Sequence, residues 1–273
     1  MAVPTIYHRL LSYIESLEPA AREPVVAGFR RLRLMVSGSA ALPVSVHEAW
    51  RRLTGQSLLE RYGMTEIGMA LSNPYDGERR PGSVGTPLPR VEVRLVGDDG
   101  EVIDAEGVAG EVEVRGPAVF REYWRRPETT AAAFHDGWFR TGDVGVVERG
   151  AFRILGRKSM DIIKSGGYKL SALEIEAALL DHPQIAECAV VGVPDEAWGE
   201  LVAAVVVPRS PSADGDEMAE LSLEQLRAWC RGRLSPYRIP RRLLVREALP
   251  RNTMGKVVKP AVVAMFARQL AAS

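Results

Sequence analysis

Between Arg33 and Glu66 the chain runs through a short apolar segment, a loop of small residues, a helical pattern and a second apolar segment. Arg33–Ser37 holds Leu34-Met35-Val36 between polar ends and leads into Gly38-Ser39-Ala40-Ala41. Pro43 stands at the start of an amphipathic helix expected near Val44–Leu53, where its fixed φ suits the first turn. Ser57–Arg61 reads as a second short strand and ends in Tyr62-Gly63-Met64-Thr65-Glu66. Strand, helix and strand at this spacing predict part of a parallel sheet, because parallel neighbours need a crossover of about a dozen residues or more. Ligands of such sheets sit beyond the carboxyl ends of the strands, and both small polar loops occupy that position.

The flanking segments extend this pattern. Residues 4–17 place Ile6, Leu10, Ile14 and Leu17 at helical spacing after Pro4-Thr5. From about residue 82 the texture changes to short alternating strands: Val91–Val96, Glu101–Ile103, Glu111–Arg115, Phe139–Thr141, Gly145–Glu148 and Phe152–Leu155. Asp99-Gly100 and Arg149-Gly150 read as hairpin turns. The polar, glycine-containing run Gly156-Arg157-Lys158-Ser159 marks a domain boundary, which gives domains of 1–156 and 157–273. The second is a compact α+β unit. A strand at Asp161–Lys164 enters Ser165-Gly166-Gly167, and Ser171 with Glu174 three residues later opens a helix. Apolar strands follow at Glu187–Val193 and Leu201–Val207, then a polar loop at Ser210–Glu220 that is expected to be mobile. Helices are expected near Leu223–Leu234 and Pro260–Ala271.

Composition excludes several functions. Lys+Arg and Asp+Glu both number 35, so the formal charge is zero, and neither a nucleic acid nor a membrane surface is expected as partner. The apolar runs are strand-sized, far short of a membrane span. The start, MAVPTIYHRLL, lacks the basic beginning and apolar core of a secretory signal and reads as the middle of a folded domain. Two distant cysteines and four scattered histidines make neither a disulfide framework nor a metal cluster, and point to a reducing, cytoplasmic compartment.

The run Pro250–Lys259, PRNTMGKVVK, follows a strand at Arg242–Arg246 and presents one lysine, Lys256, behind Gly255. Taken alone, a Gly-Lys pair is a solvated lysine in a surface turn. Four ordered segments give it another meaning: YGMTE (Tyr62–Glu66), WFRTGD (Trp138–Asp143), GRKSMDIIKSGGYKLSALEIE (Gly156–Glu176) and PRNTMGK (Pro250–Lys256). Together they resemble the motifs of the adenylate-forming superfamily, which includes acyl-CoA synthetases, luciferases and peptide-synthetase adenylation domains. The runs VSGSAALP (Val36–Pro43), LERYGMTE (Leu59–Glu66) and SNPYDGERRPGSVGTPLP (Ser72–Pro89) are similar to malonyl-CoA synthetases in particular.

The resemblance implies an enzyme that activates a small carboxylic acid with ATP and Mg²⁺, then passes the acyl group to coenzyme A and releases AMP. Lys256 would bridge the carboxylate and the α-phosphate. Thr65 would offer its hydroxyl to that phosphate, and Glu66 a hard oxygen ligand to Mg²⁺. Gly38, Ser39 and Ala40 would let adenine and acyl group approach the backbone; they also suit a plain strand-to-helix turn. Tyr62 would stack on adenine or serve as a core aromatic. Asp143 would accept both ribose hydroxyls, and Arg157 would reach the ribose as well. Gly166, Gly167 and Tyr168 would line a passage for the pantetheine arm of coenzyme A. Rotation of the small domain would be absorbed within Lys158, Ser159, Met160 and Asp161, where this chain holds one residue more than the commoner pattern. Arg61 is a weaker candidate for recognising the acid; otherwise it is a structural ion-pair partner.

Relatives carry, upstream of the segment matched by Val3-Pro4-Thr5, a Ser/Thr/Gly-rich phosphate loop ending in lysine. This sequence has no such loop. The fold expected is therefore an α/β remnant of the large domain, a partial parallel sheet with a β-rich subdomain, followed by the small α+β domain. Two functions of different class follow: part of an acyl-CoA synthetase that works with a separate N-terminal half, or a non-catalytic remnant that binds nucleotide, coenzyme A or a partner protein.

Overall fold

The computed structural model describes residues 1–209, 221–253 and 255–271. The expected loop at Ser210–Glu220 lies outside the described residues. The chain divides into two compact units, Met1–Ile154 and Leu155–Ser273.

In the first unit, the helix Pro4–Ser16 buries Tyr7, Leu11 and Ile14 along one face, the spacing that brings side chains three to four apart onto one stripe. A second helix, Pro19–Arg30, was not anticipated; its interior Pro24 supplies no N–H for the Ala20 carbonyl, and the helix forms despite that lost bond. The helix Val44–Thr54 begins after Pro43 and ends at Gly55 with φ 74°. Its Trp50 is fully buried and packs edge-on against Tyr7 and Phe29, with centroids 5.2 and 5.0 Å apart.

The parallel pair joins Val36–Ser37 to Leu59–Met64, in the register Val36 to Leu59 and Ser37 to Glu60. The first strand is shorter than expected. Two antiparallel strands, Gly68–Ser72 and Thr86–Pro87, complete a four-stranded sheet. A five-stranded sheet is built from Glu92–Val96, Gly110–Arg115, Phe134–His135, Trp138–Glu148 and Ala151–Arg157. Leu71 from the first sheet and Ile67 from the turn before its strand share one apolar cluster with Leu95, Val112, Val114 and Phe139 from the second.

Two strands expected at Phe139–Thr141 and Gly145–Glu148 are one, Trp138–Glu148. Gly142 takes φ 72° inside it, and the pairing with Gly110–Arg115 slips between Glu111 and Glu113. The Thr-Gly-Asp sequence is thus a β-bulge within a strand, a device that re-aims a side chain. Arg149 and Gly150, at φ 52° and 72°, make the hairpin turn that follows, both in the left-handed region that such turns require.

The second unit carries a five-stranded sheet in the order Tyr168–Ser171, Ile162–Ser165, Gly199–Pro208, Ile185–Asp195, with Arg242–Val245 parallel to Gly199–Pro208. Its central strands are apolar throughout because both faces are covered. Val202, Ala204 and Val206 face a cluster with Ile175, Leu179 and Leu226, from the helices Ala172–Leu180 and Leu223–Cys230. Ala203 and Val205 face the opposite cluster with Val262 and Phe266, from the helix Lys259–Ala271. Ser171 caps its helix by accepting the Glu174 N–H at 3.2 Å, while the Glu174 carboxylate meets Arg238 at 3.0 Å.

Candidate functional site

In the first unit the bulge sets Asp143 against Tyr62, 81 residues away in sequence: the Tyr62 hydroxyl donates to Asp143 Oδ2 at 2.6 Å. Asp143 is buried, and its N–H bonds Thr141 Oγ1 at 3.1 Å while that hydroxyl donates to the Val112 carbonyl at 2.7 Å. Tyr62 therefore has a hydrogen-bonding task besides any stacking. Gly63 follows because nothing larger fits: a Cβ there would lie 2.1 Å from the Gly68 carbonyl oxygen. The chain then turns at Thr65, which is exposed, and at Glu66. The Glu66 carboxylate accepts the Tyr123 hydroxyl at 3.0 Å, and its backbone carbonyl accepts the Phe120 N–H at 2.7 Å. Tyr123 was not foreseen; nothing in its sequence context separates it from an ordinary core aromatic.

At the parallel pair, Gly38 is buried and Ser39 and Ala40 are exposed. A Cβ on Gly38 would come 2.9 Å from the Arg61 guanidinium, so glycine gives Arg61 its place. Ser39 takes φ 69°, a left-handed conformation uncommon for a residue with a side chain. Ala40 and Arg61 line one small cavity with Ser37, Ala41, Glu60 and Gly82. Beneath it the Glu60 carboxylate sits 3.0 Å from His47 Nδ1 and accepts the Gly82 N–H at 2.9 Å. Burial pushes the Glu60 pKa above its ordinary value, against the opposing pull of His47 and Gly82.

Among the described residues, no three His, Cys, Asp or Glu side chains are grouped to hold a metal ion. A single carboxylate such as Glu66 suits Mg²⁺ only where phosphate oxygens and water supply the other ligands, which is the usual arrangement for that ion on nucleotides.

In the second unit, Arg157–Asp161 forms a tight turn. Asp161 N–H donates to the Arg157 carbonyl at 2.8 Å, and Arg157 N–H donates to Asp161 Oδ2 at 2.9 Å. Lys158, Ser159 and Met160 span it. Gly166 and Gly167 take φ 55° and 82°, so the loop needs glycine at both. Gly166 N–H donates to the Trp198 carbonyl at 2.9 Å, and a Cβ on Gly166 would strike the Trp198 ring at 2.7 Å. Tyr168 is half-exposed and stacks on Tyr237, centroids 4.5 Å apart and planes 3° apart. Arg241 lies 4.0 Å over the Trp198 ring. Neither Trp198, Tyr237 nor Arg241 was singled out from sequence, where each stands outside the motif runs.

Lys256 is exposed on a small hairpin. Asn252 N–H donates to the Lys256 carbonyl at 2.9 Å, and Lys256 N–H donates to Asn252 Oδ1 at 2.9 Å. Arg251 donates to the Gly255 carbonyl at 2.7 Å and reaches Glu187 at 2.5 Å. The hairpin is therefore braced on the strand Ile185–Asp195 rather than loose. No helix among the described residues is long and apolar enough to cross a membrane.

Two family models match this chain: AMP-binding enzyme over residues 1–124 and AMP-binding enzyme C-terminal domain over residues 174–256. The mitochondrial malonate–CoA ligase ACSF3 of Bos taurus is 52% identical over 282 residues, covering 95% of this chain and 47% of the relative. A malonate–CoA ligase of Arabidopsis thaliana is 49% identical over 262 residues, covering 94% of this chain and 42% of the relative. The ATP-bound crystal structure of MatB from Rhodopseudomonas palustris superposes with a TM-score of 0.81 at 40% identity, over 97% of this chain and 50% of that one. The chain spans about half the length of the curated relatives it matches. With both models matched in order and the ordered motifs on the elements described above, the chain belongs to the AMP-binding enzymes, the adenylate-forming superfamily that includes acyl-CoA and malonate–CoA ligases.

Proposed function

We propose that this chain forms the C-terminal part of an acid–thiol ligase that activates malonate, or a close dicarboxylate such as methylmalonate, with ATP and transfers it to coenzyme A. The observation that carries the reading is the Tyr62–Asp143 hydrogen bond of 2.6 Å, which joins two motifs that a nucleotide would have to bridge. The ligase relatives supply the substrate class.

In this reading Asp143 accepts the ribose hydroxyls and Tyr62 orients its carboxylate and borders adenine, with Gly38, Ser39 and Ala40 against the nucleotide. Arg157 reaches the ribose during one stage of the reaction. The substrate carboxylate attacks the α-phosphorus and pyrophosphate departs. Thr65 donates to the α-phosphate, and Lys256 stabilises the charge that builds there; a unit charge at about 4 Å in an effective dielectric of about 20 is worth roughly 4 kcal/mol. Glu66 would be the protein ligand of a nucleotide-bound Mg²⁺, which would supply positive charge to the phosphates. Next the thiol of coenzyme A attacks the acyl carbon and AMP leaves, the pantetheine arm passing Gly166, Gly167 and Tyr168. The change between the two steps is absorbed within Lys158–Asp161. Arg61, in the cavity with Ala40, meets the distal carboxylate. The N-terminal half of the ligase fold is the expected partner, and a reducing, cytoplasm-like compartment suits the two free thiols.

The test is pyrophosphate release from ATP, Mg²⁺ and malonate by the purified chain, with and without a supplied N-terminal half. Release that needs the added half supports the reading. Silence in both, from folded protein that still binds AMP, overturns it in favour of a non-catalytic nucleotide-binding subunit.

A further inference from the structure

Lys259, three residues beyond Lys256, is not on the surface. Its ammonium lies 2.6 Å from Asp161 Oδ1 and 2.9 Å from Glu176 Oε1, and all three side chains are nearly buried. Each carboxylate has further work. Asp161 Oδ2 accepts the Arg157 N–H, and the Asp161 carbonyl accepts the Ala172 N–H at 2.7 Å. Glu176 Oε1 accepts the Val190 N–H at 2.8 Å. Burial acts to lower the Lys259 pKa, but the two carboxylates outweigh it and hold the ammonium charged.

The arrangement spans three parts of one unit. Val258 N–H donates to the Pro250 carbonyl at 2.8 Å and closes the Lys256 hairpin. Lys259 follows at once, so the hairpin is tied through a buried ion pair to the Arg157–Asp161 turn, and through Glu176 to the helix Ala172–Leu180. Three residues of extended chain reach at most about 11 Å; Lys256 cannot wander far while Lys259 is held. A buried charge deprived of its partner is strongly destabilising, which makes the pairing all-or-none.

We infer that Lys259 is a positioning residue: with Asp161 and Glu176 it clasps the Lys256 hairpin to Asp161, the C-terminal end of the Arg157–Asp161 turn, so that the hairpin and Asp161 move as one body. The functional meaning rests on the reading of Lys256 and that turn given above; the clasp itself does not. Asp161 is thereby fixed to the hairpin side, which leaves Lys158–Met160 as the segment able to change conformation.

The test is amide hydrogen exchange on the whole chain, comparing wild type with Lys259→Met, Asp161→Asn and the double variant. Exchange should rise by about tenfold or more in both 157–161 and 252–258, with Val112 and Val114 of the first unit unchanged. The double variant should exchange no faster than the worse single one, because both remove the same contact. Should Lys259→Met fail to fold, Asp161→Asn alone decides by the same two segments. A rise confined to one segment, or spread evenly over the unit, overturns the clasp. In a preparation that forms adenylate, Asp161→Asn should lower kcat for adenylation with KM for ATP little changed, whereas a loss of overall packing would not separate the two. Failure of any preparation to form adenylate sinks the proposed function and leaves the exchange result standing.

Discussion

Gly166→Ala and Gly167→Ala make a matched pair. Both glycines have positive φ, 55° and 82°, and placing an L-residue there costs roughly 1–2 kcal/mol. A methyl on Gly167 meets nothing within 4 Å, whereas on Gly166 it would lie 2.7 and 2.9 Å from Cε3 and Cζ3 of Trp198. The indole is 38% exposed, and retreating from the added methyl would take it away from Arg241. Arg241 covers it at 4.0 Å, the Trp198 N–H is held by Asp195 at 3.0 Å, and its carbonyl takes the Gly166 N–H. Overpacking of this kind costs about 1–3 kcal/mol. Gly167→Ala should therefore carry the backbone cost alone, and Gly166→Ala should exceed it by about 1–3 kcal/mol. Urea unfolding followed by circular dichroism gives the difference as a gap in midpoint at unchanged slope. Equal midpoints for the two variants would refute the claim that the Trp198 ring is a fixed wall.

Three other outcomes are expected. Lys256→Ala, at an exposed position, should leave the fold intact and lower adenylation by the complemented enzyme by about 10²–10³-fold; a rate within a few-fold of wild type removes Lys256 from the mechanism. His182 accepts the Gln184 N–H at Nδ1 and packs edge-on against Trp229, and burial, with help from Arg233, holds its pKa below the ordinary 6.5. The unfolded chain thus takes up the proton first as pH falls, so His182 favours folding fully above pH 6.5 and loses that contribution as pH drops towards its folded pKa; the urea midpoint should fall over this window and flatten in His182→Gln, and an unchanged slope in that variant counts against it. Burial pushes the Cys188 thiol well above its ordinary range, with Glu176 adding to it, and burial raises Cys230 too. Iodoacetamide at neutral pH should modify neither in the native protein and both after unfolding, and rapid native alkylation would contradict this.

The family was legible because the motifs that mark it are local: Tyr62–Glu66, Gly166-Gly167 and the Lys256 turn each lie within a few residues. The strand at Leu201–Val207 was also legible, as an unbroken apolar run within Gly199–Pro208. What escaped depends on contacts across long stretches of chain. The partner of Asp143 could not be read across 81 residues, and the bulge at Gly142 looked like a gap between two strands. Lys259 reads as one more surface lysine after a flexible turn; only folding brings Asp161 and Glu176 to it.

Gly63 has a practical consequence for anyone who would retune this site by random substitution. Its contact at 2.1 Å is with a main-chain oxygen, which no rotamer change can relieve. That codon is a dead position in any library, and members altered there measure unfolding rather than preference. Diversity belongs at Ser39, Ala40 and Thr65, which are exposed, and at Ser39 a glycine should be among the most frequent survivors, since it accepts the φ of 69° without penalty.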